Sequence, residues 1–436
     1  DRRDDRLYGT GDCGSGKIKA EEVHMDFKKQ AGINSIGSVV LMFAQWLISV
    51  LLVRMGGYED AGVFSLAMSM SNVFSFFASY GMRNYQVSDV KGKFTQGQYV
   101  LAHVLLVAIA ISGCIIYLLS ADGYSAIERK AILLYLLYSC VNVFSDTFLG
   151  TLQLRGKLQI NGYSNAMRGA ICFIAFLLIY CWTNSLLIAM AAMILGTVVL
   201  TITYDLHHYS VYEHLTAFTM QDLKSSVKLI KVCFALMISN ILPVITTALP
   251  RRSIQKIAGT EQLGYFSSIF TPTVLITTLL PAIVIALIPK MAEAWEKRDK
   301  KSLTQLAGQT YVICIAFVLL AELAALIVGR PVMALIFGTE ILQYYSLLYW
   351  AILATGLNAL TSCGSAVLIA MHYNRIVAIS SFVALATTFF LSDTFVKEYG
   401  IDGAAYALTI AYFAQVAFQT IAVRIKIHRV HKEPNC

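Results

Sequence analysis

Long apolar runs decide what this chain can fold into before any other feature does. Twelve of them can be marked, at 32–53, 62–82, 98–119, 130–150, 163–182, 184–204, 229–250, 266–289, 306–328, 343–371, 376–396 and 402–423. A helix needs roughly 20 mostly apolar residues to cross the hydrocarbon core of a bilayer. Backbone groups at that depth are satisfied only inside helices or closed barrels. The runs are continuous rather than alternating, which argues against a barrel. Composition agrees: 57% of the residues are hydrophobic and only 14% charged, too few charges to cover a water-soluble globule. The expected fold is an all-α membrane protein of 12 transmembrane helices.

Charge placement sets the orientation. Residues 1–31, the loops from even to odd spans and the C-terminal tail hold 24 of the 34 Lys and Arg, the opposite loops hold 7, and Lys130, Arg168 and Lys231 fall within the spans. The positive-inside bias then puts both termini in the cytoplasm. The net charge of +8 complements an anionic inner leaflet and calls for no nucleic-acid partner. Only Leu7 and Ile18 interrupt the polar stretch 1–22, so no cleavable signal peptide is expected. The nine cysteines contain no CxxC pair and read as small packing residues. His207, His208, His214, His428 and His431 read as solvated interfacial groups, and no metal site is expected.

The two halves echo each other. Residues 54–65 read RMGGYEDAGVFS and residues 256–267 read KIAGTEQLGYFS, at an offset of 202. Both lead into an even-numbered span from the same side. Gly338 and Gly400 stand in similar places before spans 10 and 12. Each glycine is expected to end one helix in a left-handed cap, and the acid after it to favour the next helix's N-terminus. Six spans per half give two pseudo-symmetric six-helix lobes in the same orientation, with a central cavity between them. The expected organisation is a tail (1–31), an N-terminal lobe (32–204), a cytoplasmic linker (205–228), a C-terminal lobe (229–423) and a tail (424–436). Five of the seven prolines, Pro243, Pro250, Pro272, Pro281 and Pro289, fall in spans 7 and 8. They predict two bent helices there, acting either as a moving gate or as static kinks.

Enzyme signatures are missing: there is no GxGxxG after a strand, no GxxxxGK[ST], no HExxH and no GxSxG. The expectation is a non-enzyme without a cofactor. Ionisable groups within spans are expensive and so mark function. The acids are Asp146, Glu322 and Asp393, with Glu322 the candidate for ion coupling. The cations are Arg83 at the end of span 2, Arg168 deep in span 5, and Arg251 and Arg252 closing span 7. Guanidinium groups bind phosphate through paired hydrogen bonds, so these four suit a diphosphate crossing a cavity. Snorkelling to headgroups is the structural alternative. Polar side chains on spans 1 and 7, among them Asn34, Gln45 and Asn240, would line that cavity.

The stretch LLVRMGGYEDAGVFSLAMSMSNVFSFFASYGMRNYQVSD (51–89) resembles the N-terminal region of bacterial polysaccharide-lipid flippases. These are the Wzx-type members of the multidrug/oligosaccharidyl-lipid/polysaccharide exporter superfamily. LPRRSIQKIAGTEQLGYFSSIF (249–270) and GIDGAAYA (400–407) resemble later segments of the same family. The resemblance implies a two-lobed, twelve-helix transporter of the cytoplasmic membrane, serving cell-surface polysaccharide biosynthesis. It would flip an undecaprenyl-pyrophosphate-linked oligosaccharide to the outer leaflet by alternating access, cavity arginines holding the diphosphate. Arg83 matches a family arginine after span 2. Implied partners are the lipid-linked oligosaccharide, membrane lipids and the polysaccharide polymerase machinery. The alternative is an H⁺- or Na⁺-coupled small-molecule exporter of the drug-exporting branch. The acid of that branch near the start of span 1 is absent from GINSIGSVV (32–40). Cavity charge separates the two: basic for a diphosphate, acidic for a cationic drug.

Overall fold

The computed structural model describes residues 13–89, 91–213, 219–285 and 287–429, and every regular element among them is helical. Residues 1–12 and 430–436 of the expected tails, and His214 of the expected linker, lie outside the described residues. The first helical run is interrupted at Gly57 (φ 77°, ψ −175°), and its limbs are α1 (13–56) and α2 (58–79). The first half continues through α3 (Met82–Ser88), α4 (Gln96–Ser120), α5 (Ala126–Leu154), α6 (Leu158–Thr183), α7 (Leu186–Leu200) and α8 (Leu206–Tyr212). The second half comprises α9 (Met220–Ile257), α10 (Thr260–Phe270), α11 (Val274–Ile285), α12 (Ile288–Glu296), α13 (Lys300–Ala324), α14 (Arg330–Phe337), α15 (Ser346–Ala370), α16 (Asn374–Tyr399) and α17 (Ile401–Arg429).

Among the described residues, ten helices are long and apolar enough to cross a membrane, or eleven if the bent pair 220–257 counts as one span. The difference from the twelve expected lies in the run 28–88, which counts once there. As one straight helix it would be about 90 Å long, some three times the hydrocarbon thickness. It instead folds back at Gly57.

Local chemistry fixes the helix starts. Thr95 and Gln98 form a capping box on α4, Ser125 and Glu128 one on α5, and Thr219 and Asp222 one on α9. The glycine turns differ from the left-handed caps expected. Gly57 and its counterpart Gly259 (φ 93°, ψ 168°) combine positive φ with ψ near 180°, a region open essentially to glycine alone. The linker is also shorter than expected. A π-helical turn (Thr201–Asp205) carries α7 straight into α8, and α9 already begins at Met220. In the proline-rich region, α9 bends by 49° between Phe234 and Leu236, ahead of Pro243. Pro272 sits in a 3₁₀ turn between α10 and α11.

The α1–α2 hairpin packs on α4, α5 and α6 of its own half and on α9 and α10 of the other. In the second half α9 lies against α16 and α17, and α15 against α17. The turns at 57, 121–125, 259 and 338 gather at one end, here the distal end. There Tyr58 donates to the Phe337 carbonyl at 2.9 Å and stacks on Tyr265 with ring centres 3.7 Å apart. Arg54 donates to the Ile336 carbonyl at 2.8 Å. The turns at 91–95, 155–157 and 297–299 lie at the opposite, proximal end.

Candidate functional site

The halves meet where α2 crosses α10, and the crossing repeats the offset found in the sequence. Gly62 faces the Thr260 carbonyl so closely that a Cβ would overlap it. Gly264 faces the Tyr58 carbonyl in the same way. Gly264 is Gly62 displaced by 202 positions, and Thr260 is Tyr58 displaced by the same number. Ser65 and Ser267, separated by 202, hydrogen-bond to each other through their hydroxyls. Reciprocal pairing of equivalent residues marks a two-fold relation, here an internal one running through this contact. Without side chains, the glycines allow the backbones to touch.

Beside the crossing lies a small cleft lined from both halves. Ser49, Phe64, Ser65 and Met68 come from α1 and α2, and Arg251, Ser267, Ser268, Phe270 and Thr271 from the second half. Its lining contains no carboxylate. Ser49 is the 202-offset counterpart of Arg251, so one wall carries a hydroxyl where the other carries a cation. Arg251 is half-buried. Its Nη1 donates to the Thr247 carbonyl at 2.8 Å, and its Nε is buried without a partner. It forms no ion pair among the described residues. A half-buried guanidinium without an acidic partner has the chemistry to donate to an anion.

The other expected arginines are differently placed. Arg168 is 3% exposed and donates to Asp205 at 2.8 Å, with Ser145 and Ser164 completing the cluster. Asp205 itself accepts from Ser164 at 2.6 Å and is fully buried. The π-helical turn brings Asp205 to this place, and Arg168's charge is neutralised there. Arg83 pairs with Asp146 at 2.5 Å, both side chains partly exposed, and its Nη2 can donate to the amide oxygen of Asn161 at 2.9 Å. Arg252 points away from the cleft: it donates to the Asp122 carbonyl at 2.7 Å and lies 3.9 Å over the Tyr124 ring. The structure therefore does not bring the four arginines together. Only Arg251 lines the cleft.

Asn34 and Gln45 are half-buried and share a stripe with Ser38 and Ser49, since spacings of 4, 7 and 4 residues return to one helix face. Ser38 bonds the Asn34 carbonyl and Ser49 the Gln45 carbonyl. The stripe leads along α1 to the cleft, and Thr278 of α11 contacts Met42 at its edge. Asn240 instead sits beside Gly81, at the break between α2 and α3. Glu322 is half-buried on α13 and lines no part of the cleft. Among the described residues no group of three or more His, Cys, Asp or Glu could hold a metal ion.

Ser49, Ser65, Ser267 and Ser268 were not singled out in the sequence. The repeat held the signal: Ser65 and Ser267 are its final matching letter, and extending the offset to Arg251 gives Ser49.

A family model described as "polysaccharide biosynthesis protein" matches residues 27–295. The capsular polysaccharide biosynthesis protein CapF of Staphylococcus aureus is 22% identical over 389 residues, covering 87% of this chain and 94% of that protein. Among solved structures, an inward-facing multidrug-resistance transporter of the MATE family, in the MOP superfamily, superposes with a TM-score of 0.72 at 14% identity. It covers 92% of this chain and 100% of its own. The lipid II flippase MurJ in an inward closed conformation gives 0.70 at 15% identity, over 90% of this chain and 88% of its own. These likenesses show the fold.

Proposed function

Because the chain belongs to the polysaccharide biosynthesis protein family, we propose that this multi-pass membrane protein flips an undecaprenyl-pyrophosphate-linked oligosaccharide across the cytoplasmic membrane. The distal end faces outward, both termini face the cytoplasm, and transport runs from inner to outer leaflet by alternating access. The two sets of spans act as six-helix lobes about the seam. A protein that moves its substrate without altering it needs a recognising surface and two accessible states, and no reacting group.

The observation that carries this reading is the charge of the cleft. Its one ionisable side chain is Arg251, no carboxylate lines it, and Arg251 has no acidic partner. An unpaired cation away from bulk water attracts an anionic headgroup and repels a cationic drug, which favours the flippase over the drug-exporter alternative. The hydroxyl oxygens of Ser49 and Thr271, whose protons go to backbone carbonyls, can accept from sugar hydroxyls, and one of the Ser65–Ser267 pair keeps a proton to donate. The neutral stripe of Asn34, Ser38 and Gln45 suits a glycan. Arg83, partly exposed beside Asp146, is a second contact nearer the proximal end.

The test uses purified protein in liposomes with fluorescent undecaprenyl-pyrophosphate oligosaccharide in both leaflets and a membrane-impermeant quencher outside. Protein-dependent exchange of the protected half is expected. Exchange should fall when the diphosphate is replaced by a neutral ether link. Equal exchange of charged and neutral lipids would contradict recognition by Arg251, and no exchange of either would remove the flippase reading.

A further inference from the structure

We propose that the two walls of the cleft divide the reading of the lipid-linked oligosaccharide. The second-half wall holds the diphosphate through Arg251, and the α1 wall reads the glycan through Gln45 and Asn34. The proposal rests on the flippase reading above and assigns its glycan subsite. The internal offset of 202 lays α1 on α9, so the walls can be compared position by position. Ser49 corresponds to Arg251 and Gln45 to Thr247, and a hydrogen bond repeats with them. Ser49 donates to the Gln45 carbonyl at 3.3 Å, and Arg251 to the Thr247 carbonyl at 2.8 Å. The register therefore holds, and the walls differ in their side chains. On α9, Leu236 stands in the place of Asn34, and the Thr247 hydroxyl is taken by the Val244 carbonyl at 2.9 Å. Asn240, in the place of Ser38, is drawn off to Gly81.

On α1 the polar row is intact. Asn34, Ser38, Gln45 and Ser49 are half-buried along one face. Ser38 accepts from the Asn165 amide of α6 at 3.4 Å. The side-chain amides of Asn34 and Gln45 form no hydrogen bond among the described residues. A polar side chain within a membrane-spanning helix is costly and marks a surface that meets water or a ligand. A carboxamide offers two donors and an acceptor oxygen, which answers the neighbouring hydroxyls of a sugar. A lone guanidinium holds a phosphate whatever sugar follows it. Gln45 lies about 6 Å along the helix axis from Ser49, and Asn34 about 22 Å. With the diphosphate at Arg251, Gln45 meets the first sugar and Asn34 meets one further along the glycan. The contacts of Arg54 and Tyr58 with the second half form the distal seal, so the glycan extends proximally along α1.

The test titrates purified protein in detergent micelles with three lipids and reads affinity from the rise in melting temperature. The first is the diphosphate-linked oligosaccharide extracted from the membranes of the cells that make the protein. The second is the same lipid trimmed to its first sugar, and the third is bare undecaprenyl pyrophosphate. The parent should bind the first tightest and the bare lipid weakest. Gln45→Leu should lose affinity for both sugar-bearing lipids by roughly 2–10-fold, the worth of one hydrogen bond, and none for the bare lipid. Asn34→Leu should lose affinity for the full oligosaccharide alone. Arg251→Ala should weaken all three by a common factor. Equal binding of the three lipids by the parent overturns the proposal. So does Gln45→Leu with unchanged affinities, or with an equal loss for the bare lipid. If Gln45→Leu does not fold, unchanged oligosaccharide binding by Asn34→Leu overturns it. Lipid exchange in liposomes with equal binding of the three lipids removes the glycan subsite and leaves the flippase standing. Graded binding without exchange does the reverse.

Discussion

A single methyl group at Gly62 should open the distal end. Gly62 and Gly264 each press on a backbone carbonyl of the opposite half, and a Cβ at either overlaps that oxygen. A carbonyl in a packed helix cannot swing aside as a side-chain tip can, so relief requires α2 and α10 to part. Overpacking of this kind costs about 1–3 kcal/mol. The strain exists only while the seal is closed, so it is subtracted from the closed state alone. A bias of about 1–3 kcal/mol corresponds to roughly 5–150-fold in population. The assay places a cysteine at Ser49, beneath the seal, with exposed Cys181 changed to serine. An impermeant maleimide is added from the distal side of reconstituted protein. Gly62→Ala and Gly264→Ala should each raise the labelling rate by a factor within that range. Gly308→Ala gains the same helix propensity but meets no atom within 4 Å, and should leave the rate unchanged. Equal rates in all three variants and the parent would refute the idea that this crossing is the seal.

Arg168→Ala should lower thermal stability sharply, since breaking a buried ion pair leaves Asp205 uncompensated at a cost of about 3–5 kcal/mol. The double variant Arg168→Met/Asp205→Leu should recover most of the loss in a melting experiment, and Arg251→Ala should melt near the parent. Gly57→Ala should destabilise the fold by about 1–3 kcal/mol, because its φ of 77° with ψ of −175° is closed to a side chain; chemical denaturation reads this. Asp89 lies just past α3. Partial burial pushes its carboxyl up, but the amides of Lys93 and Phe94 and the Tyr99 hydroxyl outweigh this and hold it below the ordinary 3.8. Its contribution is therefore present above about pH 4 and fades as pH falls through the lowered value. Asp89→Asn should cost stability at pH 7, and progressively less as the pH falls through the lowered value.

Much of the architecture was legible because membrane insertion is written in run length, and the repeat because equivalent turns need the same glycine. The backbone at those glycines was not, since the sequence asks for positive φ but says nothing of ψ. The weighting of the arginines shifted for a similar reason. Arg168 is the deepest cation by position, yet its partner Asp205 lies 37 residues away and reaches it through a π-helical turn that no spacing rule signals. Arg251 and Arg252 are neighbours in the chain and part company on the helix, one turning to the cleft and the other to Tyr124. A rotation of about 100° per residue decides which meets the substrate, and only packing fixes its phase. The serines of the cleft are common residues whose meaning appears once the two halves are superimposed.

The most direct test of the account compares lipid exchange by the parent, Arg251→Lys and Arg251→Ala in the liposome quenching assay, at matched reconstitution and melting temperature. Arg251→Ala should lose most exchange of the diphosphate-linked oligosaccharide, and Arg251→Lys, which keeps the charge without the fork of donors, should retain an intermediate rate. Full exchange by Arg251→Ala would show that the cleft at the seam does not read the anionic headgroup, and would contradict the account at its centre.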